Sequence, residues 1–273
     1  MLKALKQARS AVGMLNPDEV GRRARQPVRI GLVAFDGAGY AAMEDFLAPA
    51  LDQVYRAGDP GVPDKVDLVL YQQGIPCPQD AYVLRFDDPA ATVAEILRDH
   101  DDLELALARQ FAPFRKPVVE GIIHAVSREN AVFAVATALP NLVPSLGELP
   151  WAFGEFASDT AFLTANQVRM AFLIAAACGK KVGYSDRAAE ILSIVGGAFG
   201  WRALARELAG KIPFGGGIIP KGAIAYAGTF VVGKGLEQYH HAGAPFTRAQ
   251  REEVYQAAFE RGKSIAEALR GKL

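Results

Sequence analysis

Cysteine is scarce: Cys77 and Cys178 are the only two in 273 residues. That excludes a disulfide framework and a paired-cysteine metal site, and it suits a reducing compartment. There is no charge excess of either sign, with 30 Lys+Arg against 30 Asp+Glu, which argues against a dedicated nucleic-acid binder. An unbroken apolar run of the roughly 20 residues needed to span a bilayer is missing, as are internal repeats and low-complexity tracts. The opening residues, interrupted by Lys3, Lys6 and Arg9, do not read as a secretory signal. Apolar character is plentiful, at 51% hydrophobic and 22% charged residues. That is enough for a sizeable core in one large domain or two small ones.

Charge is unevenly placed. Residues 1–26 carry six bases against two acids, residues 27–110 six against fifteen, and residues 111–273 eighteen against thirteen. An acidic front and a basic, apolar rear imply two units with different surroundings, although ordinary solvated faces of unequal composition give the same counts. In the first segment Leu2, Leu5, Ala8 and Val12 fall at helical spacing with bases between them. Such a helix suits an anionic membrane surface and equally suits a terminal docking helix.

The elements divide the chain into residues 1–26, a basic helical segment; 27–112, an α/β domain; and 113–273, a helical domain. Asn16-Pro17-Asp18-Glu19 is a helix start, with a cap, proline in the first turn and acids behind it. Val28–Phe35 predicts a buried strand, Tyr40–Arg56 a helix, Lys65–Tyr71 a second strand and Tyr82–Phe86 a third. Helices follow at about 90–98 and 101–111. That order predicts a small parallel sheet. Beyond Pro113 everything reads as helix: a segment through Val118 to Ala138, a connector from Pro140 to Pro150, then Asp159–Cys178, Ser185–Phe199 and Trp201–Gly210. A glycine hinge at Ile212–Ile219 leads into Pro220–His240, and Thr247-Arg-Ala-Gln250 is a capping box opening a last charged helix.

Val28–Leu47 has the layout of a phosphate-binding loop: buried strand, glycine-containing turn, helix. In G-x-x-x-x-G-K-[ST] the backbone amides cradle phosphate, lysine offsets its charge and the hydroxyl holds magnesium. With Gly39 as the second glycine, the first falls on Ala34, the lysine on Tyr40 and the hydroxyl on Ala41. Only Gly39 matches, although Gly37 keeps the turn supple. Asp36 adds a charge that repels phosphate. The next strand ends in Tyr71-Gln-Gln-Gly74, where a D-x-x-G motif would carry the magnesium-linked aspartate, and Tyr71 supplies none. The segment reads either as a degenerate nucleotide fold stripped of its chemistry or as an ordinary βα turn. Neither hydrolyses nucleotide.

No catalytic arrangement or metal site stands out, and no cofactor is expected. His240 and His241 are adjacent, whereas ligands on one helix face need i,i+3 or i,i+4 spacing; they read as a helix C-terminal cap. Phe162–Cys178 is apolar nearly all round except for Asn166, Gln167 and Arg169. A helix of that kind is buried in a core or in lipid, and its polar cluster needs partners if buried, for which Glu190 and Ser193 are candidates.

From about Phe114 to Gly243 the order of features resembles the YcjF-like, GTPase-associated helical domain of bacteria. The residues that carry this are Thr137-Ala-Leu-Pro140, Leu163-Thr-Ala-Asn-Gln-Val-Arg-Met170 and the Pro213-Phe-Gly-Gly-Gly217 hinge. The resemblance implies a small GTPase-like domain upstream or an inner-membrane setting, and it transfers no catalytic residue. The expectation is a degenerate, P-loop-like parallel sheet followed by a helical domain with an apolar, glycine-hinged hairpin. Its function is that of a non-catalytic interaction or scaffold protein at the cytoplasmic membrane face, whose partner is an unidentified protein, a membrane surface or a second copy, and not nucleic acid. Two alternatives stay open: a nucleotide or small-ligand sensor using the Gly37–Gly39 turn, and a wholly soluble helical interaction module.

Overall fold

The computed structural model describes residues 15–137, 159–194 and 218–270. The amphipathic segment before residue 15, the 140–150 connector, the 201–210 helix and the hinge at 212–217 lie outside the described residues. The chain forms two compact units, one built from Asp18–Glu120 and Ala175–Lys181, the other from Met1–Pro17, Gly121–Ile174 and Val182–Leu273. A division at 112/113 instead falls at the start of the helix that crosses this boundary.

The first unit opens with α1 (Pro17–Arg25) and then alternates: β1 (Ile30–Val33), α2 (Gly37–Leu47), β2 (Val54–Arg56), β3 (Leu68–Gln72), β4 (Tyr82–Leu84), α3 (Pro89–Asp99) and α4 (Glu104–Gln110). The four strands form one parallel sheet in the order β2-β1-β3-β4. Ile30, Leu32, Leu68, Leu70, Tyr82 and Leu84 are all buried on one face, as the two-residue period of a strand requires. Met43 and Leu47 of α2, Val93 and Ile96 of α3, and Ala106 and Leu107 of α4 pack into that same core. The alternate residues Gly31, Val33, Val69, Tyr71 and Val83 are only half-buried, although parallel sheets are usually covered on both faces.

One expected element is corrected. Tyr40–Arg56 is not a single helix: it ends at Leu47, and Val54–Arg56 forms a fourth strand beside β1. Pro49 is the reason. The residue before a proline is pushed out of the helical region, and Ala48 sits at ψ 147°. Sequence periodicity carried the helix too far because Leu51, Val54 and Tyr55 continue an apolar spacing that the backbone does not follow.

The second unit takes most of α5 (Ala112–Ala136), then α6 (Asp159–Ala177), α7 (Ile218–Ala242) and α8 (Arg248–Arg270). Helix α5 begins earlier than its apolar face suggests, because Pro113 lies in the first turn, where backbone N–H groups have no intrahelical partner. Residues 188–194 are also helical. Ala131, Ala223, Tyr226, Ala227, Val231, Tyr255, Ala258 and Phe259 form a core of their own. Among the described residues no helix is long and apolar enough to cross a membrane.

Candidate functional site

The order β2-β1-β3-β4 reverses at β1, since β2 lies on one side of it and β3 on the other. In parallel sheets of this type the crevice at such a reversal, beyond the carboxyl ends of the strands, is the usual ligand site. Here it is formed by residues 34–39 after β1 and 72–74 after β3, and the register pairing Val33 with Tyr71 brings the two segments level. Ala34, Gly37, Gly39 and Gly74 of the positions read from sequence fall in these two segments, with Tyr40, Ala41 and Tyr71 in the adjoining helix and strand.

The chemistry there is self-contained. Asp36 caps α2 in an extended conformation, and its Oδ1 accepts from the Gly39 N–H at 2.8 Å. The side-chain carbonyl of Gln72 accepts from the Phe35 N–H at 3.0 Å. A helix N-terminus attracts anions because its amides are unsatisfied and its dipole is positive there. In this turn the Gly39 amide of the helix start is taken by a carboxylate that supplies the negative charge, and the Phe35 amide just before the cap is taken by Gln72. The Gln72 amide also lies against Gly39. A Cβ on Gly39 would overlap its side-chain carbonyl oxygen, and would lie 2.9 Å from its Cδ and 3.1 Å from the Ala34 Cβ. A side chain at Gly39 would thus displace the Gln72 amide and press on Ala34, whereas a Cβ on Gly37 would meet nothing within 4 Å.

The remaining positions offer no compensating cation. Tyr40 lies under the Arg56 guanidinium, whose centre is 5.4 Å from the ring centroid. Arg56 is itself engaged in a two-point pair with Glu44 at 2.6 and 2.7 Å, and that hydrogen bond holds the Glu44 carboxyl below its ordinary range against the opposing effect of burial. Ala41 is exposed and Tyr71 half-buried. Gly74 takes a left-handed φ of 99° to end β3. Sequence reading missed Gln72, the residue that closes the turn. It lay inside the quoted Tyr71–Gly74 motif, but no pattern shows that its amide reaches back to β1. Among the described residues no group of three or more His, Cys, Asp or Glu is placed to hold a metal ion.

The polar cluster of α6 does find partners, but not Glu190 or Ser193. Asn166 Nδ2 donates to Asn130 Oδ1 at 2.9 Å and to Glu129 at 3.0 Å, Asn130 donates to Thr229 at 2.7 Å, and Gln167 to the same hydroxyl at 3.2 Å. Arg169 pairs with Glu129 and donates to Asn166. Asn130, Asn166 and Thr229 are buried, so the cluster is a hydrogen-bonded core that ties α5, α6 and α7 together. Glu190 instead pairs with Arg187 at 2.7 Å, with the His240 ring 3.7 Å away. His240 and His241 do occupy the last turn of α7, but the His240 side chain is packed inside the unit rather than presented to solvent.

No protein-family model, curated protein or solved structure matches this chain.

Proposed function

We propose that the protein is a non-catalytic, pseudo-GTPase-like scaffold that works at the cytoplasmic face of a membrane, with a helical unit of the YcjF-like kind. The observation that carries this reading is the closed turn: Asp36 and Gln72 accept from two backbone amides of the turn, those of Gly39 and Phe35, and the Gln72 amide packs against Gly39. With tyrosine and alanine at the lysine and hydroxyl positions, a bound phosphate would be held by neither charge nor metal. The basic segment 1–26 supports contact with an anionic surface.

The position of the turn at the strand-order reversal favours one alternative, a nucleotide or small-ligand sensor, and the same experiment separates the two. Fluorescent GTP and ATP analogues, each with magnesium, are titrated with the full-length protein. The scaffold reading expects no saturable binding up to millimolar protein. Magnesium-dependent saturation would establish the sensor instead. Gly39→Asp is a poor control, because any side chain at position 39 displaces Gln72. Gln72→Ala, which opens the turn without adding bulk, is the better one.

A further inference from the structure

The edge of the sheet that holds the closed turn carries exposed aromatics. Phe35, two residues past the end of β1, is 65% exposed, and Phe86, two residues past the end of β4, is 44% exposed. The registers Val33 with Tyr71 and Gln72 with Leu84 place both at nearly the same height. The strands that lead into them, β1 and β4, are two spacings apart in the sheet, and the two-residue period of those strands continues to Phe35 from the half-buried face and to Phe86 from the covered one. Gly74 lies between: a Cβ there would fall 3.5 Å from the Phe35 ring, so the glycine leaves that ring face uncovered.

The charge around these rings is negative on balance, and two of the carboxylates, Asp36 and Asp88, also cap helices. Asp36, Asp59, Asp87 and Asp88 are exposed in the loops that leave the carboxyl ends of β1, β2 and β4. The cations of the same edge, Arg56 and Arg85, are each neutralised by a glutamate, Glu44 and Glu95. The unit as a whole is strongly acidic, with six bases against fifteen acids over residues 27–110. An anionic ligand or an anionic lipid surface is repelled by such an edge, whereas an apolar segment flanked by lysines or arginines gains at both the rings and the charges.

We infer that the carboxyl edge of the sheet is a docking surface for a basic, amphipathic segment of a protein partner, with Phe35 and Phe86 as its two apolar anchors. The inference rests on the scaffold reading, since it fills with protein contacts an edge that nucleotide does not use. Exposed aromatic anchors contribute most of the energy at such surfaces, and complementary charge sets the rate and the partner's sign.

The test is a fluorescence-anisotropy titration of the full-length protein into a labelled 14-residue synthetic peptide with leucines at helical spacing and lysines elsewhere. A counterpart carrying glutamate for every lysine is the control. Saturable binding of the lysine peptide is expected, with none of the glutamate peptide. The pair Phe35→Ser and Phe86→Ser keeps every charge and is expected to weaken binding at least ten-fold. Leu192→Ser, at a residue 71% exposed elsewhere, is expected to leave it unchanged. No binding of the lysine peptide, equal affinity in the double variant, or binding of the glutamate peptide overturns the proposal. Should the double variant fail to fold, Asp87→Lys reads the same surface through charge and is expected to weaken binding, with unchanged affinity overturning it. If phosphatidylserine vesicles bind and lose that binding in the phenylalanine variants, the edge is a membrane surface and the proposal fails. Nucleotide saturation would remove the scaffold reading without altering how this titration is read, so the two failures are distinct.

Discussion

Tyr255 shows how a single residue's surroundings set a measurable property. It is 3% exposed in the core of the helical unit, and burial pushes its phenol up to about 12. In the unfolded chain a tyrosine loses its proton near pH 10. Between about pH 10 and 12 the unfolded state therefore ionises while the folded state stays neutral, so stability falls as pH rises. The loss approaches about 2–3 kcal/mol by the upper end of that window. Chemical denaturation at pH 9 and at pH 11.5 checks it: the fall is expected in the native protein and is expected to shrink in Tyr255→Phe. An equal fall in the variant would assign it to other groups. At the same scale Asp36 was legible as a repulsive charge in a phosphate turn, and the structure adds that it also serves as the helix cap. Gln72 was not legible as a closing group, because its contact spans two strands.

Elements were legible where a local signal defines them. The Thr247–Gln250 capping box forms in both directions, the Gln250 side chain accepting from the Thr247 N–H at 2.9 Å and Thr247 Oγ1 from the Gln250 N–H at 3.3 Å. Asp88 caps α3 with Pro89 in the first turn. The helix predicted across Tyr40–Arg56 failed because apolar spacing outlasted the proline that stops it. Helices α7 and α8 approach closely at a glycine. A Cβ on Gly262 would lie 2.9 Å from the Ala223 Cα and 3.0 Å from its carbonyl oxygen. Alanine improves helix propensity by about 1 kcal/mol, but here it must push two backbones apart, which costs about 1–3 kcal/mol. Gly262→Ala is therefore expected to destabilise. Gly235→Ala, in α7, where a Cβ would meet nothing within 4 Å, is expected to stabilise by about 0.5–1 kcal/mol. Urea denaturation of both variants checks the pair, and two changes of the same sign would refute the packing argument.

At the scale of the whole molecule, α6 is buried nearly all round, as its composition required. Its polar residues bond to α5 and α7 rather than remaining as uncompensated groups. On the proposed scaffold reading, contact of the basic segment 1–26 with an anionic membrane is electrostatic and screened by salt. Fractionation of the untagged protein from its native cells is expected to place it with membranes at low salt and release it at high salt. Recovery in the soluble fraction throughout would sink the membrane part of the proposal, and resistance to both salt and alkaline carbonate would require an inserted segment.

The sequence by itself determined most of the helix starts, three of the four strands, the parallel α/β start followed by helices, and the residue types at the phosphate-loop positions. Those properties reside in neighbouring residues: caps, periodicity, prolines and the identity of four motif positions. Tertiary structure alone decided the strand order, the fourth strand, the coverage of one sheet face, the partners of Asn166 and Arg169, and the closure of the turn by Gln72. Each of these depends on contacts between residues far apart in the chain, and their energies appear only once the backbone has brought the groups within hydrogen-bonding distance.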